Sequence, residues 1–191
     1  MPNIEVHPFA PFLPKQARLL MLGTFPPASK RWSMPFFYPN FQNDMWRIFG
    51  YLFFQDKNHF VNQEEKTFKM DELKSFLNKK GVALYDTAKR IIRIKNTASD
   101  KDLKIVEKVN LDQLLHTLPL CKGVLTAGQL ATHIFTQHYG VDAPKMGGYS
   151  EFMFEGRTLR LYRMPSSSRA YPIKVEEKAK YYNKMFQDIL M

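Results

Sequence analysis

The 191-residue chain carries 28 Lys plus Arg against 18 Asp plus Glu, giving a net charge of +10 and a pI near 9.6. That charge attracts polyanions, and the 14% aromatic content adds rings that can stack on bases. Its 45% hydrophobic residues suffice for one full core, so a single domain over 1–191 is expected. The one cysteine, Cys121, excludes an internal disulfide and any metal or iron–sulfur site built on several cysteines. No run approaches the roughly 18 apolar residues of a membrane span, and the first fifteen residues lack the pattern of a signal peptide. A cytoplasmic monomer with no membrane partner is the expectation.

Residues 1–16 contain Pro2, Pro8, Pro11 and Pro14 and read as an extended arm over the domain. Buried strands are predicted at Arg18–Gly23, Val82–Asp86, Gly123–Ala127 and Thr158–Met164, each short and mostly apolar. Between them, helical patterns cover Asn43–Phe54, Met70–Lys80, Asn110–Leu118, Gly128–Tyr139 and Val175–Leu190. Phe152–Phe154, the Glu155-Gly156 turn and the last strand also read as a hairpin. Alternating strands and helices imply a three-layer α/β/α fold around a central, mainly parallel four-stranded sheet. Ligands of such sheets bind at the carboxyl ends of the strands.

Three segments fall at those ends. Gly23-Thr24-Phe25-Pro26-Pro27 follows the first strand, where glycine permits close backbone approach and two prolines stiffen the loop. It continues through Lys30, Arg31, Trp32, Met34, Phe36, Phe37 and Tyr38, a stretch suited to stacking and phosphate binding or to packing under the core. Next come Tyr38-Pro39-Asn40 and Asn43 to Trp46, in which Asn43 is either a helix cap or an amide that positions water or a base edge. The third is Pro165-Ser166-Ser167-Ser168-Arg169, whose hydroxyls, N–H groups and charge suit phosphate, or else form a solvated turn. Asp86, ending the second strand, can activate water or satisfy a backbone N–H.

In order and spacing these segments resemble the uracil-DNA glycosylase superfamily, nearest its hypoxanthine-DNA glycosylase branch. The branch pattern is G-[ST]-x-P, then an aromatic stretch reaching H-P-R-N-x-x-W, and L-P-S-[ST]-S-P-A near the end. Here stand Gly23-Thr24-Phe25-Pro26, Tyr38-Pro39 with Asn43-Asp44-Met45-Trp46, and Met164-Pro165-Ser166-Ser167-Ser168-Arg169-Ala170. Ala83-Leu84-Tyr85-Asp86, Ser99-Asp100 and Val124-Leu125-Thr126-Ala127-Gly128 match the branch's middle segments, so the likeness covers about 18–190. Tyr38 replaces the histidine, Arg169 a proline, and Thr126-Ala127 the branch's F-N. Two additional residues leave Asn40 and Asn43 competing for the asparagine's role, and Phe25 stands where classical uracil enzymes place an acid or amide.

The resemblance implies a monofunctional DNA glycosylase that hydrolyses the N-glycosidic bond of a flipped, deaminated base of hypoxanthine or uracil type. Asn43 and Asp86 would be catalytic. Gly23, Thr24, Phe25, Pro26, Phe37, Tyr38 and Asn40 would line the base pocket. Lys30, Arg31, Lys89, Arg90, Pro165, Ser166, Ser167, Ser168 and Arg169 would bind DNA. No cofactor is expected, and no metal site, since His133 and His138 are spaced off a common helix face. The rivals are a catalytically inactive nucleic-acid-binding module on the same fold and an enzyme of free nucleosides. P-loop and dinucleotide-binding glycine motifs do not occur.

Overall fold

The computed structural model describes residues 3–95, 97 and 99–191, so Pro2 of the expected arm lies outside the described residues. In chain order the elements are β1 (Ile4–Val6), β2 (Leu19–Gly23), α1 (Met45–Phe54), β3 (Val61–Asn62), β4 (Thr67–Phe68), α2 (Met70–Lys80), β5 (Val82–Asp86) and β6 (Ala88–Arg93). They continue with β7 (Leu103–Lys108), α3 (Leu111–His116), β8 (Gly123–Ala127), α4 (Gln129–Tyr139), β9 (Tyr149–Phe154), β10 (Arg157–Met164) and α5 (Val175–Leu190).

The apolar runs form the central sheet, ordered β5-β2-β8-β10-β9. The first four strands in that order are parallel, and β9 adds an antiparallel fifth at the edge through the hairpin at Glu155-Gly156. Both turn residues have positive φ, 47° and 75°, as a tight hairpin of matching twist requires. Every residue of β2 is buried, because both faces of the sheet are covered. Leu19 and Met21 face the layer of α1, α2 and α5, where Trp46, Phe49, Leu73, Tyr182 and Phe186 pack. Leu20 and Leu22 face α3 and α4, against Leu111, Leu115 and Phe135. The three-layer α/β/α arrangement is thus the one the alternating pattern implied. Among the described residues, no helix is long and apolar enough to cross a membrane.

A second, antiparallel sheet, β1-β6-β7, stands beside the first and was not foreseen. Part of the N-terminal arm is its edge strand: Ile4 pairs with Ile92 and Val6 with Arg90. Apolar Ile4 and Val6 are exposed, whereas Glu5 turns inward to Arg93, which grips both its carboxylate oxygens at 3.0 Å. Arg93 also donates to the Pro26 carbonyl at 3.1 Å. The chain turns from β5 into β6 by pinning the first loop: the Thr87 and Ala88 N–H groups donate to the Gly23 and Thr24 carbonyls at 2.9 and 3.0 Å.

One buried ion pair joins the remaining loops. Lys178 of α5 is 0% exposed and donates to Asp44 Oδ2 at 3.0 Å and to the Ser168 carbonyl at 2.8 Å. Asp44 precedes α1, where a negative charge also suits the helix dipole. Its N–H donates to the Ser167 carbonyl at 2.9 Å. Tyr182 of α5 donates to the Pro165 carbonyl at 3.0 Å. Removing one partner would strand the other charge in the interior. Lys178→Met is therefore expected to cost about 3–5 kcal/mol, a fall in Tm of roughly 10 °C for a chain of this size. Adding Asp44→Asn should recover most of that loss, as read by thermal denaturation of both variants.

Candidate active site

The carboxyl ends of β2 and β5 carry a buried polar cluster. Gly23 and Asp86 are register partners there. A Cβ on Gly23 would lie 2.7 Å from Asp86 Oδ1, so only glycine lets the two strands present the carboxylate this way. Asp86 is 7% exposed. Buried Thr24 donates its hydroxyl to Asp100 Oδ2 at 2.7 Å. Asp100 opens a short 3-10 helix, Asp100–Asp102, in the connection between β6 and β7. Burial is the main influence holding its carboxyl above the ordinary range. The Thr24 hydrogen bond opposes that rise, nearby Asp86 adds to it, and Arg93 opposes it.

His7, which the sequence reading did not single out, completes this cluster. Its Nε2 donates to Asp86 Oδ2 at 2.8 Å, and its Nδ1 lies 3.0 Å from the Phe9 carbonyl oxygen. The imidazole is caged by rings, with centroids 4.7 Å from Tyr85, 5.2 Å from Phe25, 6.0 Å from Phe9 and 6.1 Å from Phe37. Phe25 is half-buried and Phe37 fully buried. Thus the rings of the first loop face an internal imidazole. The weak signal in the sequence was the I-E-V-H alternation, whose polar members turned out to be the inward ones.

The aromatic stretch mostly takes its core-packing role. Met34, Phe36 and Phe37 are buried, and Trp46 donates its indole N–H to the Phe37 carbonyl at 3.0 Å. Tyr38 differs: its φ is +51°, and its buried hydroxyl has no hydrogen-bond partner among the described residues. Burial foremost, then Asp86, raises the phenol well above its usual pKa. Asn40 and Asn43 both use Oδ1 to accept a backbone N–H two residues on, from Gln42 and Met45, each at 2.9 Å. Asn43 stands one residue before the N-cap of α1, Asp44, and its Oδ1 takes the first N–H of the helix, which leaves its NH₂ as the group it can offer elsewhere.

The serine loop is a turn stitched by its own hydroxyls. Ser166 Oγ accepts from the Ser168 N–H and Ser168 Oγ from the Ala170 N–H, both at 3.2 Å. Ser167 is buried, while Arg169 is exposed and lies 3.4 Å from Asp44 Oδ1. Beside it, a shallow groove of about 740 Å³ is lined by Asp44, Lys57, Arg169, Lys174 and neighbouring residues. Lys30 and Arg31 lie exposed on a 3-10 helix, Ser29–Arg31. Lys89 and Arg90 sit on β6 facing Glu107, at 3.0 and 3.9 Å.

The structure thus gathers Gly23, Thr24, Tyr38 and Asp86 around one point, with Phe25 and Phe37 joined through His7. It links Asn43 to Ser167 through Asp44. Lys89 and Arg90 are placed on the second sheet, paired with its own carboxylate. Asp44, Lys178, His7 and Asp100 are the contributors without an assigned role in the sequence reading. Among the described residues, no group of three or more His, Cys, Asp or Glu side chains is arranged to hold a metal ion.

The Asp100 environment has a consequence for stability. The folded protein holds this proton more tightly than the unfolded chain does. The carboxyl therefore favours folding fully below its ordinary value of 3.8, and that contribution is lost as pH rises through the elevated folded value. Asp100→Asn keeps an acceptor for Thr24 and removes the titration. Its Tm relative to the parent should climb as pH rises above about 4 in a series of thermal melts.

No protein-family model and no curated protein matches the sequence. Among solved structures, the chain is similar to an NMR structure from Methanosarcina acetivorans that is provisionally described as a uracil DNA glycosylase. The likeness has a TM-score of 0.61 at 18% identity, over 96% of this chain and 99% of that one. The chain shares that protein's fold.

Proposed function

We propose that this chain is a monofunctional DNA glycosylase that removes a deaminated base. The observation carrying the proposal is the buried cluster of Asp86, Asp100, Thr24 and Tyr38 at the carboxyl ends of the parallel strands. It lies on a fold shared with a protein described as a glycosylase. Two carboxyls, Asp86 and Asp100, and the hydroxyls of Thr24 and Tyr38 are collected in this cluster, in a chain that is strongly cationic as a whole. The net positive charge suits a polyanionic substrate, and the buried carboxyls suit hydrolytic chemistry.

A base in a duplex must leave the stack to reach such a cluster, at a cost of a few kcal/mol that is lowest for a mispaired base. Arg169, Lys30, Arg31 and the Ser166–Ser168 loop would hold the flanking phosphates. Phe25 would flank the extruded ring. Deamination replaces an exocyclic amine with a keto oxygen, turning a donor into an acceptor. Asn43, whose Oδ1 is committed to Met45, has only its NH₂ to offer and would select such bases, hypoxanthine or uracil. Asp86 would take a proton from water as the water oxygen bonds to the sugar C1′. The C1′–N bond breaks with its electron pair leaving on the base, through a sugar cation.

One observation favours a second reading, a nucleic-acid-binding module without turnover. The His7 ring stands among Phe25, Phe37 and Tyr85, where the resemblance would place a base. Labelled duplexes with a single deoxyinosine or deoxyuridine, treated with alkali, separate the two. The glycosylase reading expects abasic product from at least one duplex. A blank panel with retained, salt-sensitive binding leaves the module.

Asn43→Asp keeps the acceptor for the Met45 N–H and swaps the donor for an acceptor. It should lower excision by roughly 100-fold, with Tm and DNA affinity little changed. Arg169→Ala should flatten the dependence of log K on log salt by about 0.9 for duplex DNA, the signature of one lost phosphate contact.

A further inference from the structure

Residues 3–8 face the wrong way round for a strand laid on a core. Ile4, Val6 and Pro8 are exposed, and the side chains turned inward are polar, Glu5 toward Arg93 and His7 toward Asp86. Polar pairs exchange a protein partner for water at small net cost. A segment fastened by them lifts more easily than one fastened by apolar burial. What the two inward side chains meet is specific. Arg93, its side chain 8% exposed, takes both Glu5 oxygens in a fork at 3.0 Å, the geometry in which a guanidinium also takes two phosphate oxygens. The His7 side chain, 1% exposed, is caged by Tyr85, Phe25, Phe9 and Phe37 and donates to Asp86. Such a cage suits a flat nitrogen heterocycle. Glu5 and His7 are next neighbours on one face of extended chain, about 7 Å apart, close to the separation one sugar puts between a phosphate and its base. With the segment in place Asp86 is buried and its Oδ2 is taken.

We propose that Ile4–His7 is a strap that closes the site by imitating a nucleotide, the Glu5 carboxylate standing for a phosphate on Arg93 and the His7 ring for an extruded base. The ligand class comes from the glycosylase reading above, on which this rests: a nucleotide swung out of a duplex. When the strap lifts, Arg93 is left to bind a phosphate, the ring cage to take the base, and Asp86 has a free oxygen. Arg93 keeps its bond to the Pro26 carbonyl, so the first loop stays tied. The strap ends near Pro8, because Phe12 beyond it is fastened to Leu84 by two backbone hydrogen bonds at 3.0 and 2.8 Å. Strap and substrate compete for the same groups, so the apparent affinity for a damaged duplex is lowered by the fraction of molecules that are closed.

Variants of Glu5 and Arg93 distinguish a mimic from a simple fastening, which would make the two behave alike. Glu5→Gln removes the imitation phosphate and leaves Arg93 in place. Its Kd for a labelled duplex with one deoxyinosine or deoxyuridine should tighten by roughly 5-fold, with an undamaged duplex bound as by the parent. Arg93→Gln loosens the same strap yet should weaken binding of the damaged duplex, with a salt slope flatter by about 0.9. Hydrogen exchange gives a readout without mutation. The His7 N–H, which donates to the Lys89 carbonyl at 2.8 Å, should exchange faster when the damaged duplex is bound. The strap is overturned if Glu5→Gln binds no tighter than the parent, or tightens on both duplexes equally, which is a bulk charge effect. Parent-like binding by Arg93→Gln overturns it, as does unchanged or slower exchange at His7. A parent that does not distinguish damaged from undamaged duplex removes the strap's ligand and overturns it too. Failure of the glycosylase reading shows separately, as no abasic product from any duplex. Opposite shifts from the two variants would then keep the strap, on a module that binds and does not cut.

Discussion

The architecture of the candidate site depends on one charge buried in the wrong place for a charge. Lys178 is enclosed under the serine loop and meets Asp44 and the Ser168 carbonyl there. An ammonium group cannot stay in an interior without such partners, so the loop, the start of α1 and α5 adopt one mutual arrangement or lose the pair. An apolar residue of the same volume would pack α5 just as well. It would not specify where Pro165–Arg169 must run. The ion pair contributes uniqueness of loop geometry more than net stability, and the serine loop is set beside Asn43 by that uniqueness.

The other half of the site uses backbone for the same end. Gly23 and Asp86 are register partners on adjacent parallel strands, and the turn into β6 hydrogen-bonds back to the first loop. The carboxylate is thus placed by sheet register, which a one-residue slip would destroy. Its orientation comes from His7, delivered by a short edge strand that Arg93 anchors through Glu5. Sheet, turn and arm each supply one coordinate of Asp86. Thr24 and Asp100 add a second carboxyl close enough to feel the first.

The central sheet was legible because strands covered on both faces appear as short apolar runs with turns after them, as in L-L-M-L-G and V-A-L-Y-D. The helices were legible from acidic starts and glycine stops, such as Asp71 and Glu72 at the start of α2 and Gly81 at its end. The second sheet was not. Its strands A-K-R-I-I-R and L-K-I-V-E-K mix cations with apolar residues on both faces, and β1 turns its apolar side chains outward. For the site, strand ends directed attention correctly to Gly23, Thr24 and Asp86. Asn43 reads from the sequence as either a helix cap or a functional amide; it stands one residue before the N-cap, Asp44, with its Oδ1 accepting the first N–H of α1. His7 was opaque as a site residue, and Asp100 fell in the matched Ser99-Asp100 pair without a role, because each reaches its partner across 79 and 76 residues.

Those long separations bear on how the protein comes off the ribosome. Asp44 and Lys178 are 134 residues apart, an interval on the order of ten seconds of synthesis. Through that interval the central strands can already pair, while the acid at the head of α1 has no counter-ion and the serine loop has no floor. The face carrying the candidate site is consequently the last part of the molecule to become ordered, and a nascent chain stalled short of α5 would carry a largely formed sheet with an unfinished mouth.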